Sequence, residues 1–313
     1  MDIEYLLWLQ NLRESSGNFF TPFMQWVSSY DVGGLMAIVL LTPVFVYWCI
    51  SKRAGLFLML SLAASDFLNN VIKMTFCVYR PFMRDARVIP FGHKPSGYSF
   101  PSGHAMTAAP VLVGLAVLSR KKYFLFSCVC WVMTLLVMFS RNYLGVHTPQ
   151  DVVVGFILSL IVLYAVSLMM SHAEHENIFA ALGILAVIAG IAYVTLKSYP
   201  EDYGLDGKLL VNAAKKIDDI YLYGGSLAGL IAGRLIEKKY IRFTPSGLKW
   251  KGIILAAAGC CIYSFIYFTV RKSFVNTLAP IVTKNGGVFV HAFISMMFAV
   301  VLWPIVIKKF CVK

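Results

Sequence analysis

The sequence predicts an all-α, polytopic membrane protein with a six-span core followed by about three further C-terminal spans. Hydrophobic residues make up 59% of the 313 residues and charged residues 14%, against about 25% charged residues in an ordinary soluble domain. The mean hydropathy is +0.73, and a soluble fold of this size has too little interior to bury so much apolar surface. The apolar runs are also continuous, without the alternation typical of membrane β-strands. A soluble enzyme, a disordered chain and a secreted disulfide scaffold are therefore excluded.

Nine apolar runs are long enough to approach the roughly 20 residues that a membrane-spanning helix needs. They cover residues 31–50, 54–75, 104–119, 123–140, 150–170, 178–196, 219–236, 252–270 and 288–307. The run 3–14 is too short to span, and its leucines and aromatic residues predict an interfacial helix. We therefore predict an interfacial segment over 1–29, a six-span core that carries the chemistry over 30–197, and a three-span extension over 198–313.

The formal net charge of +13 is concentrated at the ends of the apolar runs. This position indicates membrane topology and contact with lipid headgroups, and it argues against nucleic acid as a partner. The short loops 120–122 and 237–251 are densely basic, which predicts that their side faces the cytoplasm and that the N-terminal side faces outward. A bacterial cytoplasmic membrane is the favoured location, and an endoplasmic reticulum membrane is the alternative.

Three polar segments lie on the predicted outer side. The first, KMTFCVYRP, places Lys73 and Arg80 seven residues apart, so two helical turns would put them on one face. Pro81 disfavours helical backbone at Arg80 and marks the end of the helix. The second, FPSGHAM, resembles a helix start in which free N–H groups near Ser102 and Gly103 form a seat for an anion.

The third segment, SRNYLGVHTPQD, places Arg141 at the end of the fourth span and His147 in the following loop. Thr148 and Asp151 have the spacing of a capping box, and Pro149 stands at the first helical position. That geometry also directs Asp151 back toward His147. If the spans run back and forth, the three segments meet and form a site for a phosphate dianion from three cations, two histidines and one carboxylate: Lys73, Arg80, Arg141, His104, His147 and Asp151.

These segments, K-x6-R-P, P-S-G-H and S-R-x5-H-x3-D, resemble in order the three-part signature of the phosphatidic acid phosphatase type 2 superfamily. Its members include lipid phosphate phosphatases, undecaprenyl-diphosphate phosphatases and glucose-6-phosphatase. The match holds at every fixed position from residue 73 to 151, and the six-span layout extends it to about residue 197. The last three spans lie outside the common core. A nine-span layout is also similar to glucose-6-phosphatase, but layout is weak evidence for a substrate.

The resemblance implies a phosphatase that needs no metal and no cofactor. His147 would attack phosphorus and form a phosphohistidine, and Asp151 would hold its tautomer. His104 would protonate the leaving oxygen and then activate water. The phosphate oxygens would be bound by three cationic side chains and by the start of the helix, namely Lys73, Arg80, Arg141, Ser102 and Gly103.

Two further patterns have a structural and a functional interpretation. Asp66 and Asn70 lie on the face of Lys73, where they support the site from behind or contact substrate. Gly225, Gly229 and Gly233 recur at four-residue steps, which predicts close helix packing within the chain or, as the second interpretation, a homodimer.

The favoured substrate is a lipid phosphate monoester or an isoprenoid diphosphate, because a site at the membrane surface suits an amphiphile held in the same leaflet. Three alternatives remain open from the sequence: a sugar-phosphate phosphatase, a lipid phosphotransferase, and a non-catalytic lipid transporter on the same scaffold. Two histidines and all three cations argue against a scaffold that only binds.

Overall fold

The structure of the protein, a computed structural model, describes residues 2–31, 33–92, 94–204 and 207–311. Within these ranges the chain is helical apart from its connections, and the one β pairing is an isolated bridge between Tyr203 and Leu209. The α-helices of the described chain are α1 (Asp2–Ser15), α2 (Thr21–Ser28), α3 (Leu35–Cys49), α4 (Lys52–Phe76), α5 (Pro81–Arg84), α6 (Gly103–Ser119), α7 (Phe124–Tyr143), α8 (Pro149–Ser171), α9 (Glu176–Leu196), α10 (Ala213–Ile236), α11 (Trp250–Ser264), α12 (Arg271–Met297) and α13 (Trp303–Cys311). The all-α prediction is confirmed.

Each of the nine predicted apolar runs falls on helical structure. Five helical stretches of the described chain are long and apolar enough to cross a membrane, and α3 and α6 belong to shorter apolar helices. The five are Lys52–Arg84, Phe124–Tyr143, Pro149–Ser171, Ala173–Leu196 and Trp250–Cys311. The prediction of a polytopic helical membrane protein is therefore confirmed.

The C-terminal spans differ in detail from the predicted runs. π-Helical turns continue α10, α11 and α12 at their C-terminal ends. α12 also contains a break, because Val282 and Thr283 have non-helical backbone angles and Thr283 has a φ of 67°. The predicted run 288–307 therefore begins after the break and continues through the π-helical turn into α13.

The chain divides into two compact units. The first comprises Met1–Leu40, Leu68–Leu163 and Lys197–Lys216, and the second comprises Leu41–Phe67, Tyr164–Leu196 and Ile217–Lys313. In the first unit α6 packs along α7, and α1 and α2 also pack on α7. The part boundaries at residues 29 and 197 stay a prediction.

The N-terminal helices of the first unit are anchored on the C-terminal end of α7. The buried Arg13 of α1 donates a hydrogen bond to the carbonyl of Tyr143 at 3.2 Å. Thr21 of α2 shares a hydrogen bond of 3.1 Å with the hydroxyl of Tyr143. Met24 packs in a buried cluster with Tyr143, Leu144 and Val146. The α1–α2 layer therefore packs against the segment that leads to His147.

The glycine face of α10 packs within the second unit. A Cβ atom added at Gly225 would lie 2.3 Å from the carbonyl oxygen of Phe289, and one added at Gly229 would lie 2.5 Å from that of Phe293. Gly233 approaches Val300 in the same way. Contacts this close exclude any larger side chain at Gly225 and Gly229. They favour the first interpretation of this motif, packing within the chain, over a homodimer.

Candidate active site

The three polar segments meet in the first unit. Arg80 contacts His147, the backbone N–H of Ser102 donates to the carbonyl of Asp151 at 2.8 Å, and Asn69 of α4 donates to the carbonyl of Pro101 at 3.2 Å. Residues of all three segments therefore lie next to one another in the structure. Local helix ends cause this, because the site is formed where α4 and α7 end and where α6 and α8 begin.

His147 is buried in the loop between α7 and α8, with a partner at each ring nitrogen. Nη1 of Arg80 lies 3.2 Å from Nε2, and Oδ2 of Asp151 lies 3.4 Å from Nδ1. A guanidinium group can only donate, so Nε2 is the accepting nitrogen and the proton resides on Nδ1. Burial and the charge of Arg80 lower the pKa of His147 well below its ordinary value. The ring is therefore neutral at neutral pH and has its lone pair on Nε2.

Asp151 is the acceptor that orders the loop around His147. The predicted capping box forms, since the N–H of Thr148 donates to Oδ2 at 2.8 Å and the N–H of Asp151 donates to the Thr148 hydroxyl at 3.3 Å. The same Oδ2 accepts a hydrogen bond of 2.6 Å from the buried hydroxyl of Ser99. The Ser99 oxygen also lies 3.3 Å from Nδ1 of His147. Asp151 therefore caps α8 and contacts the imidazole at once.

The PSGH segment is the start of α6, with Ser102 at the N-cap and His104 in the first turn, as predicted. The Ser102 side chain makes no capping hydrogen bond. Among the described residues, its buried hydroxyl and the buried Nε of Arg141 have no hydrogen-bond partner. An unpaired buried polar atom costs about 1–3 kcal/mol. Both atoms therefore fit a site that a bound anion completes.

Lys73 binds the PSGH loop from its N-terminal side. Its Nζ donates to the carbonyls of Tyr98, Ser99 and Pro101 at 3.2, 3.3 and 2.8 Å. The end of α4 that carries Lys73 is itself capped, because Nζ of Lys197 donates to the carbonyls of Met74 and Thr75. Lys73 therefore supplies a positive charge beside the loop and fixes its backbone.

The prediction that Lys73 and Arg80 share a helix face is wrong. α4 ends at Phe76, and Cys77 has a φ of 52°, a left-handed conformation that stops the helix. Arg80 is extended, as the residue before a proline prefers, and it precedes the short helix α5. It reaches the site from this strand-like connection, where Nε donates to Gly97 and Nη1 to Val146.

His104 faces the N-terminal segment of the same unit. Its Nε2 lies 2.9 Å from the carbonyl of Ser28, which can only accept, so this nitrogen carries a proton. The ring of Tyr30 packs against it at a tilt of 59°, with centroids 4.8 Å apart. The positive charge of Arg141 also acts on His104, so the two residues share one electrostatic environment.

Several residues of the site were not found by sequence reasoning. Ser99, Ser28 and Tyr30 contact the two histidines, and the amide of the buried Asn142 donates to the carbonyl of His147 at 2.9 Å. The one sequence signal that could have identified Ser99 is its position directly before the FPSGHAM segment. Asn69, which lies on α4 with Asp66 and Asn70, contacts the PSGH loop. Asp66 and Asn70 are buried, and their supporting role stays a prediction.

The arrangement can bind and transfer a phosphoryl group. It combines a neutral imidazole with an available lone pair, a carboxylate on the opposite nitrogen, a second histidine and three cations. Arg80 and Arg141 are buried, and buried like charges are stabilised by a counter-anion. In the described residues no group of three or more His, Cys, Asp or Glu side chains is placed to hold a metal ion.

Comparison with protein families supports the signature read from the three segments. A model described as the PAP2 superfamily matches residues 54–174. A second, described as the transmembrane extension of PAP2 superfamily phosphatases, matches residues 221–313. The second match covers the three spans outside the common core, so the two models together account for most of the chain.

Three curated relatives illustrate the similarity. The undecaprenyl-diphosphatase of Sulfolobus acidocaldarius is 32% identical over 108 residues, which are 34% of this chain and 51% of the relative. The phosphatidylglycerophosphatase B of Bacillus subtilis is 37% identical over 120 residues, 36% of this chain and 56% of the relative. The sphingosine-1-phosphate phosphatase 1 of Mus musculus is 33% identical over 130 residues, 38% of this chain and 30% of the relative. The chain thus spans about half the length of the first two. No solved structure matches it.

Proposed function

Because this chain belongs to the PAP2 superfamily, we propose that it is an integral membrane phosphatase that hydrolyses a lipid phosphate monoester or an isoprenoid diphosphate. The observation that carries this proposal is the neutral His147, whose Nε2 lone pair faces Arg80 while Asp151 lies at Nδ1. The relatives' names refer to phosphates on amphiphilic molecules, which supports the substrate class.

The reaction proceeds in two displacements. Nε2 of His147 attacks phosphorus, the bond from phosphorus to the leaving oxygen breaks, and a phosphohistidine forms. Asp151 accepts a hydrogen bond from the Nδ1–H, which keeps its proton, and stabilises the positive charge that develops on the imidazole. Protonated His104 gives its Nε2 proton to the leaving oxygen and becomes neutral. It then takes a proton from water as that water attacks phosphorus and releases His147.

A bound phosphate provides hydrogen-bond acceptors for several donors of the site. Nη1 of Arg80 transfers its hydrogen bond from Nε2 of His147 to a phosphate oxygen, which frees the lone pair for attack. The Ser102 hydroxyl and Nε of Arg141 gain an acceptor, and the N–H groups at Gly103, which lie at the positive end of the α6 dipole, face the anion. Lys73 adds charge and holds the loop. The proposed hydrolysis requires no metal.

We place the site on the extracytoplasmic side. The opposite ends of α6 and α7 flank the basic loop 120–122, and short basic loops face the cytoplasm. A bacterial cytoplasmic membrane fits this orientation, as does an endoplasmic reticulum membrane with a luminal site.

The test is phosphate release by the purified, detergent-solubilised protein in the presence of EDTA. The panel contains lipid phosphates, isoprenoid diphosphates and glucose 6-phosphate. His147→Ala is compared with His172→Ala, whose histidine is exposed outside the site. We expect release from one lipid class, unaffected by EDTA, retained in His172→Ala and lost in His147→Ala. Brief incubation with labelled substrate should leave an acid-labile label on protein, absent from His147→Ala.

Each other outcome excludes a part of the proposal. Hydrolysis of glucose 6-phosphate alone would replace the substrate class. Turnover by folded His147→Ala would exclude the nucleophile, and loss with EDTA would exclude the metal-free mechanism. A protein that binds lipid phosphates tightly without turnover would contradict the hydrolase itself.

A further inference from the structure

We infer that the N-terminal segment forms the leaving-group wall of the active site and selects phosphates carried by membrane lipids, an inference that rests on the proposed function. The wall consists of residues 28–30, between α2 and α3. It provides the carbonyl that accepts from Nε2 of His104 at 2.9 Å and the Tyr30 ring that packs against the imidazole at a tilt of 59°. Nε2 is the nitrogen whose proton the leaving oxygen needs, so that oxygen must replace the Ser28 carbonyl as the acceptor, at the point where the wall meets His104.

The wall has a fixed position because α2 is docked on the catalytic loop. Thr21, Met24, Val27 and Ser28 are buried on one face of α2. Thr21 and Met24 contact the segment 143–146 that leads to His147. The Ser28 carbonyl is at the C-terminal end of α2, where carbonyls lack partners within the helix. His104 supplies a partner to one of them, so the wall and the acid histidine are held together.

The other face of this layer is aromatic and exposed. Four exposed aromatic residues follow one another here, and we call them the aromatic row: Phe20, Phe23, Trp26 and Tyr30. Phe23 stacks on Trp26 with ring centroids 5.9 Å apart, and such side chains favour the membrane–water interface. Tyr30 is 41% exposed and also packs against His104, so it connects the row to the acid histidine. A lipid held along this row would present its phosphate ester oxygen to His104, whereas a soluble ester has no acyl chain that could contact the row.

The test compares two substrates of the full-length protein in lipid nanodiscs. One is the lipid phosphate preferred by the wild type, and the other is the soluble ester p-nitrophenyl phosphate. Tyr30→Ala should lower kcat/KM for the lipid by about tenfold or more, as expected for lost positioning, mainly through KM. The soluble ester should lose less than the lipid, so the ratio of the two kcat/KM values should fall by at least about threefold. Tyr30→Phe retains the ring and should restore most of the lipid activity.

Phe19→Ala is the matched control, because Phe19 belongs to the same layer, is 77% exposed and pairs with the ring of Phe20, so its removal leaves the contact of Tyr30 with His104 in place. It should leave the preference for the lipid unchanged. An equal loss for both substrates in Tyr30→Ala would overturn the selective wall and leave the phosphatase intact. An equal lipid-selective loss in Phe19→Ala would overturn the specific role of Tyr30. A wild type inactive on every phosphate ester would overturn the proposed function, and this inference with it.

Discussion

Replacing Ser99 by alanine tests the proposed catalytic arrangement without replacing either histidine, although the Ser99 oxygen lies 3.3 Å from Nδ1 of His147. The Ser99 hydroxyl donates to Oδ2 of Asp151 at 2.6 Å, and both side chains are buried. A hydrogen bond to a charged group contributes about 1.5–3 kcal/mol. Asp151 keeps the Thr148 N–H as a donor, so the carboxylate stays in place but is held less firmly against the imidazole.

The expected magnitude follows from that hydrogen bond. If its full strength is needed in the transition state, a loss of about 1.5–3 kcal/mol lowers kcat by about 10- to 100-fold, since about 1.4 kcal/mol corresponds to a factor of ten. KM should change little, because the hydroxyl of Ser99 is engaged with Asp151 and is assigned no phosphate contact. The assay is steady-state phosphate release from the preferred lipid by protein of matched thermal stability.

Ser127→Ala is the control for removing a buried serine hydroxyl from the same unit. Ser127 donates to the carbonyl of Ala116 at 3.0 Å and has no charged partner in that bond. We expect its kcat to remain within about twofold of the wild type, as for a neutral hydrogen bond far from the chemistry. A folded Ser99→Ala enzyme with more than half of the wild-type kcat would refute the role of Ser99 in holding Asp151 against His147, and an effect confined to KM would do the same.

Three further predictions concern binding, stability and pH. Arg141→Lys should lower kcat/KM by about 10- to 100-fold, because lysine cannot grip two phosphate oxygens in parallel; unchanged kinetics would exclude Arg141 as a phosphate ligand. Thr148→Ala should lower the free energy of unfolding by about 1 kcal/mol through loss of the α8 cap, seen as a lower Tm that Thr148→Ser restores. Because the pKa of His147 lies below 6.5, its nucleophilic form is lost as pH falls through that lowered pKa, so the acid limb of kcat/KM should lie below pH 6.5. Two substrates whose phosphates ionise differently separate this limb from substrate titration, and a limb above 6.5 with both would contradict the assignment.

The local geometry of the site was predictable because its signals are local. The capping box of Thr148 and Asp151 depends on a spacing of three residues, and the start of α6 depends on a proline–serine–glycine sequence ahead of an apolar run. The identity of the cations follows equally directly from the motif. These features survive in the structure because each is satisfied by neighbours within one helical turn.

Features that depend on distant packing were not predictable. The spacing of Lys73 and Arg80 fits a continuous helix, yet the left-handed Cys77 ends α4 three residues after Lys73. A lone cysteine carries no sequence signal for that conformation. The contacts of Ser28 and Tyr30 with His104 join residues that lie more than seventy positions apart in the sequence. The N-terminal segment shows an interfacial pattern in its sequence, but its docking on α7 depends on tertiary packing.

The contacts of Lys73 change how a variant at this position must be interpreted. Its ammonium group donates to three carbonyls of the segment that carries Ser99 and Ser102. Lys73→Ala therefore removes a charge near the phosphate and also releases the backbone that positions the Asp151 donor and the α6 N-terminus. If Lys73 only binds phosphate, its loss changes KM and kcat and leaves the hydrogen bond from Ser99 to Asp151 intact. If Lys73 also supports the loop, its loss weakens that hydrogen bond as well. The double variant Lys73→Ala, Ser99→Ala separates the two roles: additive losses indicate a phosphate contact independent of the loop, and losses smaller than additive indicate that Lys73 acts through the same segment as Ser99.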